Sequence, residues 1–228
     1  MEKVWSVSIW GDSIGKGIVY DEARGRYAIC RENLAARLKR EAGIAVENHS
    51  VMGYTVLQAA EKFDESSLRP GGVAALEFGG NDCDMDWKAV SEAPDEEHDP
   101  RTPLKVFTKT LSGLVEKVRK GGMLPVLVVP PPIDAERYFR WVSKNLNPKA
   151  ILQYLGDVQH IYRWQERYAL AVRDLARKMG CKALDLRDAF LASRDFKELI
   201  CVDGIHPTEA GYHVIWEAVN GVLCEARG

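Results

Sequence analysis

Met123-Leu-Pro-Val-Leu-Val-Val129, preceded by Gly121-Gly122 and closed by Pro130-Pro-Pro132, is the most telling segment of the chain. An apolar run of this length between breakers is a strand buried on both faces, and it is too short for a core helix. Directly upstream, residues 102–120 place Leu104, Phe107, Leu111, Leu114, Val115 and Val118 on one helical stripe. A helix feeding a doubly buried strand is half of a right-handed βαβ crossover, and so implies a parallel sheet covered on both faces. Working outward, the alternation repeats. Residues 4–10, 44–51, 73–78 and 182–186 read as further strands. Residues 27–40, 55–63, 158–179 and 208–224 read as helices. Segments 83–103 and 131–157 read as irregular, pocket-bordering insertions in a single domain spanning 1–228. The first holds seven acidic side chains and three prolines, and the second carries Tyr138, Phe139, Trp141 and Tyr154.

Composition removes several classes. With 228 residues, 46% hydrophobic and 28% charged, the chain has the make-up of a globular protein. Its net charge of -2 lacks the basic excess of a polyanion binder, so nucleic acid is not the expected partner. No apolar run approaches the ~20 residues of a membrane helix, and the first ten residues lack the apolar core of a secretion signal. The five cysteines include no CxxC pair and are expected to be reduced, buried thiols of a cytoplasmic protein.

In parallel sheets ligands sit beyond the carboxyl ends of the strands, so the residues following each strand carry the chemistry. Those residues are Gly11-Asp12-Ser13, then Gly53, then Gly79-Gly80-Asn81-Asp82; before the last helix comes Asp203-Gly204-Ile205-His206-Pro207. Each residue type suits acyl transfer. A serine hydroxyl is a nucleophile once a base takes its proton. Imidazole is that base, because as a class it titrates near neutrality. An aspartate fixes the imidazole tautomer and stabilises its charged form. Backbone N–H groups at Ser13 and Gly53, with the Asn81 carboxamide, can meet a developing oxyanion.

Four of these blocks together resemble the SGNH hydrolases, a branch of the GDSL esterases and lipases. The matching residues are Gly11-Asp12-Ser13-Ile14, Asn48 with Gly53, Gly79-Gly80-Asn81-Asp82 and Asp203-Gly-Ile-His206-Pro, with Ile14 standing where leucine is commonest. The blocks run in order over residues 11–207. The resemblance implies Ser13 as nucleophile, His206 as base, Asp203 as its partner, and Ser13, Gly53 and Asn81 as the oxyanion hole. It also implies a flavodoxin-like three-layer α/β/α sandwich with a parallel five-stranded sheet, and no metal or organic cofactor. The expected substrate is a small-molecule ester. Sugar O-deacetylation leads, lysophospholipase or thioesterase chemistry is the alternative, and a catalytically silent binding module is the non-enzyme reading. Asp12, Trp87, Tyr138 and Trp141 are the candidate substrate-binding residues.

Gly11 to Gly17 has three residues, not four, before Gly-Lys, and Gly17 where a phosphate loop needs Ser or Thr. Ser13 alone could merely start a helix, and Asp203 with His206 alone could be a surface turn. Asp12 and Asp82 suit bracing of their own turns. His49, His98, His160 and His213 lack metal-ligand spacing and read as structural or solvent-facing.

Overall fold

The computed structural model describes residues 6–225, with side chains to residue 223. Val4 and Trp5, expected in the first strand, and the Cys224 thiol lie outside the described residues. The chain opens with β1 (Ser6–Gly11), α1 (Ser13–Lys16), β2 (Ile18–Asp21), β3 (Arg26–Ile29) and α2 (Leu34–Glu41). It continues through β4 (Ala45–Asn48), α3 (Val56–Glu61), β5 (Val73–Glu77), α4 (Trp87–Glu92), α5 (Leu104–Lys120) and β6 (Leu124–Val129). It closes with α6 (Ala135–Val142), α7 (Pro148–Leu155), α8 (Gln159–Met179), β7 (Lys182–Asp185), α9 (Leu186–Leu191) and α10 (Glu209–Glu225).

Five strands form one all-parallel sheet in the order β4-β1-β5-β6-β7. Counted along the chain within that sheet, the order is 2-1-3-4-5, the flavodoxin-like arrangement. The two faces of β5 and β6 feed different cores, as side-chain alternation requires. Ala74, Leu76, Leu127 and Val129 pack with α3, α5 and α8. Ala75, Val128 and Leu184 pack with α9 and α10, and Val7 and Ile9 with α2 and α10. Helices therefore cover both faces of the sheet. The order reverses between β1 and β5, so a crevice opens where their carboxyl ends diverge. No helix of the described residues is long and apolar enough to cross a membrane.

Three sequence expectations are corrected. Residues 27–40 are not one helix. β2 and β3 form an antiparallel hairpin in which Tyr20 pairs with Tyr27, turning through Gly25 at φ +60°. The helix begins only at Leu34, where Asn33 Oδ1 accepts from Ala36 N–H at 3.1 Å. The β-branched and aromatic alternation before Gly25 is the strand signal that the Leu34–Leu38 stripe concealed.

Segment 83–103 contains α4, capped by Asp86, and 131–157 holds α6 and α7 rather than irregular chain. Asp134 caps α6; Asn147 caps α7, with Pro148 in its first turn, where proline is tolerated. α4, α6, α7 and the start of α8 share a separate apolar cluster around Val90, Tyr138, Ile151 and Ile161.

Candidate active site

β1 ends in Gly11, where a Cβ would lie 2.9 Å from the Glu77 backbone oxygen, so only glycine lets the strands approach this closely. Asp12 then caps α1, its Oδ1 accepting from Ile14 N–H at 2.9 Å. This cap holds Ser13 at the first helical position, buried at the crevice floor.

From the far end of the chain, Asp203 shapes its own turn. Its Oδ1 accepts from Ile205 N–H and His206 N–H, both at 3.1 Å. Its Oδ2 lies 2.6 Å from His206 Nδ1, and His206 Nε2 lies 2.9 Å from Ser13 Oγ. Burial pushes the Asp203 carboxyl up, but the His206 contact and the turn N–H groups outweigh it and hold the group below its usual range. An ionised carboxylate can only accept, so Nδ1 carries the ring proton and Nε2 is free to accept from the serine hydroxyl. Hydroxyl, imidazole and carboxylate thus meet across 193 residues of sequence.

β5 delivers the opposite wall. Asn81 Nδ2 donates to Asp12 Oδ2 at 2.9 Å. Gly53, at φ +82°, and Asn81 line the same cavity as Ser13 and His206. Asp82 points away from the cavity and ties the layer together, accepting from Val56 N–H at 2.9 Å and Gly79 N–H at 3.1 Å. Beneath Ser13 a second carboxyl, Glu77, accepts from Asp12 N–H at 3.3 Å and Gly15 N–H at 3.2 Å. Burial and then the Asp12 charge push Glu77 well above the usual carboxylate range, and burial raises Asp12 too.

These buried acids set a sign for stability. Burial lifts Asp82 to about 6 from 3.8. A group whose folded value is raised favours the fold in acid, and that contribution is lost as pH rises through the folded value. Asp12 and Glu77 act in the same sense, whereas the depressed Asp203 contributes above its ordinary value and loses its effect only in stronger acid. The urea midpoint is therefore expected to rise from pH 7 to pH 5, with a smaller rise in Asp82→Asn. A midpoint that falls across that window in the unmodified protein would contradict the assignment.

The cavity beyond Ser13 measures about 210 Å³. Its walls are mostly apolar and aromatic: Met85, Ile133, Leu155, Ile161 and Trp164 join Trp87 and Tyr138. Tyr138 O–H donates to Asp84 Oδ1 at 2.6 Å and Trp87 Nε1–H to the same oxygen at 2.8 Å, so one carboxyl group holds both rings. Asp12 lies on the floor and braces Asn81. Trp141 is not on the wall, which corrects its sequence placement. Its ring meets Tyr20 edge-on at 4.8 Å, and the Lys144 ammonium lies 3.7 Å from its ring centroid. Trp141 lies about 4.5 Å further along the α6 axis than Tyr138, which carries its ring past the cavity to the hairpin, against Tyr20 and Tyr27.

Sequence reasoning missed Tyr27, Glu77 and Gln165, which line the cavity. Tyr27 lines the cavity, and its ring lies 5.0 Å from the His206 ring. It was hidden by the misread hairpin. His160, read as structural or solvent-facing, stands on the cavity wall. No group of three or more His, Cys, Asp or Glu among the described residues could hold a metal ion.

A serine, an imidazole and a carboxylate in line at the switch point of a parallel sheet form an arrangement suited to acyl transfer. Residues 9–214 match the GDSL-like Lipase/Acylhydrolase family, and the chain belongs to that family of ester hydrolases. A GDSL esterase/lipase of Arabidopsis thaliana is 25% identical over 199 residues, 85% of this chain and 77% of that one. Among solved structures, a lipase/acylhydrolase from Enterococcus faecalis aligns with a TM-score of 0.62 at 16% identity, over 94% of this chain and 93% of that chain. A catalytic mutant of an acetylxylan esterase from Geobacillus stearothermophilus aligns at 0.61 and 20% identity, over 94% and 91%. Both likenesses are likenesses of fold.

Proposed function

We propose that the chain is a serine esterase that hydrolyses small carboxylic esters through an acyl-enzyme. The observation that carries this reading is the Ser13–His206–Asp203 line, with its 2.9 and 2.6 Å contacts. As Ser13 Oγ attacks the ester carbonyl, His206 Nε2 takes the hydroxyl proton. The charge on the carbonyl oxygen is met by the N–H groups of Ser13 and Gly53 and by Asn81 Nδ2. His206 then gives its proton to the departing alcohol. Water, deprotonated by His206, attacks the acyl-serine, and collapse of the second tetrahedral species returns the proton to Ser13 and frees the acid. Asp203 holds the ring and offsets its positive charge in both halves.

The cavity supports a small acyl group. Its volume of about 210 Å³ is below the ~300–1,000 Å³ of pockets that enclose a drug-sized ligand, so a long lipid chain does not fit inside it. Acetyl to butyryl esters are the best match, and acetylated sugars are the leading natural type. A series of p-nitrophenyl esters from acetate to palmitate, run beside acetylated sugars, tests this. The expected kcat/KM peaks at four acyl carbons or fewer and falls steeply beyond. A maximum at palmitate would overturn the small-ester reading in favour of lipase chemistry.

A further inference from the structure

The Asn81 carboxamide stands between partners of opposite sense. Its Nδ2 donates to Asp12 Oδ2 at 2.9 Å, while its Oδ1 accepts from Arg101 Nη1–H at 3.3 Å. A carboxamide between a carboxylate and a guanidinium has one satisfied orientation, with nitrogen toward the anion and oxygen toward the cation. Rotated by half a turn, it would set oxygen against the Asp12 carboxylate and N–H against a group that can only donate. One Nδ2 hydrogen is committed to Asp12, and the second is left for the cavity.

The same guanidinium reaches the other loop. Arg101 Nη2–H donates to the Gly53 carbonyl oxygen at 3.1 Å. One side chain thus ties together the two loop residues that the proposed mechanism places around the oxyanion. Arg101 is exposed at its tip but fixed at its root. Its N–H donates to Asp84 O at 2.8 Å, and the next residue's N–H, on fully buried Thr102, donates to Asp82 O at 3.0 Å. Tyr168 O–H closes the anchor by donating to Thr102 O at 2.7 Å. The excursion between residues 84 and 101 is pinched shut at its base, directly beside Asn81.

We propose that Arg101 is a positioning residue for ester hydrolysis: it locks the Asn81 amide and the Gly53 loop into one oxyanion-binding arrangement. The proposal rests on the serine-esterase reading. It is specific to a planar fork of donors, because a lysine ammonium is a point charge that cannot span two carbonyl oxygens in fixed geometry. The guanidinium acts on the oxyanion only through Asn81 and Gly53, so its loss is felt in the chemical step and little in ground-state binding.

The test measures kcat and KM on p-nitrophenyl acetate for Arg101→Ala, Arg101→Lys, Asn81→Ala and the Arg101→Ala/Asn81→Ala pair. Asn81→Ala is expected to lose about 10²–10³ in kcat, the usual cost of one oxyanion donor. Arg101→Ala should lose about ten-fold or more, within that bound, with KM changed by less than about three-fold. Added guanidinium at millimolar concentration should restore part of the Arg101→Ala loss, and lysine should not. The double variant should be slower than Asn81→Ala by less than the factor Arg101→Ala costs alone, because the part of the Arg101 effect that runs through Asn81 is already gone and only the Gly53 arm is left to lose. A raised KM with intact kcat, full recovery by lysine, or losses that multiply in the double variant would each overturn the proposal. Ser13→Ala assayed in parallel separates the two levels. If it retains turnover, the esterase reading fails; if it is inactive while the Arg101 results go against expectation, only this inference fails.

Discussion

Replacing Ser13 with alanine is expected to lower kcat for ester hydrolysis by on the order of 10⁵–10⁶-fold, with the fold intact. The change removes one oxygen atom. In the proposed mechanism Ser13 Oγ, 2.9 Å from His206 Nε2, forms the acyl bond; without it the imidazole is left to activate water directly and no acyl-serine forms. Helix α1 keeps its cap, because Asp12 Oδ1 accepts from Ile14 N–H and not from Ser13. What survives is the effect of binding and of the oxyanion donors, which typically leaves ~10³–10⁴-fold over the uncatalysed rate. The measurement is single-turnover hydrolysis of p-nitrophenyl acetate with the unfolding transition recorded alongside. Turnover within ten-fold of the unmodified protein would remove Ser13 from the mechanism.

The second large effect is structural. Gly204 lies inside the Asp203–His206 turn at φ +84°, and a Cβ there would meet Tyr138 N at 2.3 Å and Asp134 O at 2.6 Å. Both atoms are backbone, at the start of α6, and Gly204 O itself accepts from Asp134 N–H at 2.8 Å. Gly71 has nearly the same dihedral, φ +82°, but a Cβ there meets nothing within 4 Å. The two positions separate dihedral strain from collision. Gly71→Ala should cost about 1–2 kcal/mol, the price of the left-handed conformation alone. Gly204→Ala should cost at least about 2 kcal/mol more, because α6 or the turn must move. Moving the turn also displaces the imidazole, and a 1 Å misplacement costs ~10²-fold in rate. Denaturant unfolding and kcat on both variants check this. Equal destabilisation of the two would show that the turn and α6 separate freely.

The sheet was readable because burial on two faces leaves a plain mark: an apolar run such as Val126–Val129 between breakers. The residues that line the cavity were readable where the topology puts them at strand ends, so Ser13, Gly53 and Asn81 could be picked by position. Elements whose signal is local and mixed were lost. The β2–β3 hairpin was absorbed into the stripe of the helix that follows it. Helices α6 and α7 were passed over although Asp134, Asn147 and Pro148 mark their starts. Aromatic residues could not be sorted in advance, because Tyr138 and Trp141 share one short helix yet face different neighbours. Arg101 was invisible for a related reason. Its role depends on where a long excursion closes, and an isolated arginine after a run of acids reads as a solvated charge.

The most direct test of the account is covalent labelling of the unmodified protein with a fluorophosphonate, followed by peptide mass mapping. The expected result is one adduct per chain on the peptide carrying Ser13, formed in step with loss of esterase activity and abolished in His206→Ala. Stoichiometric labelling of another residue, or full activity after Ser13 is modified, would contradict it.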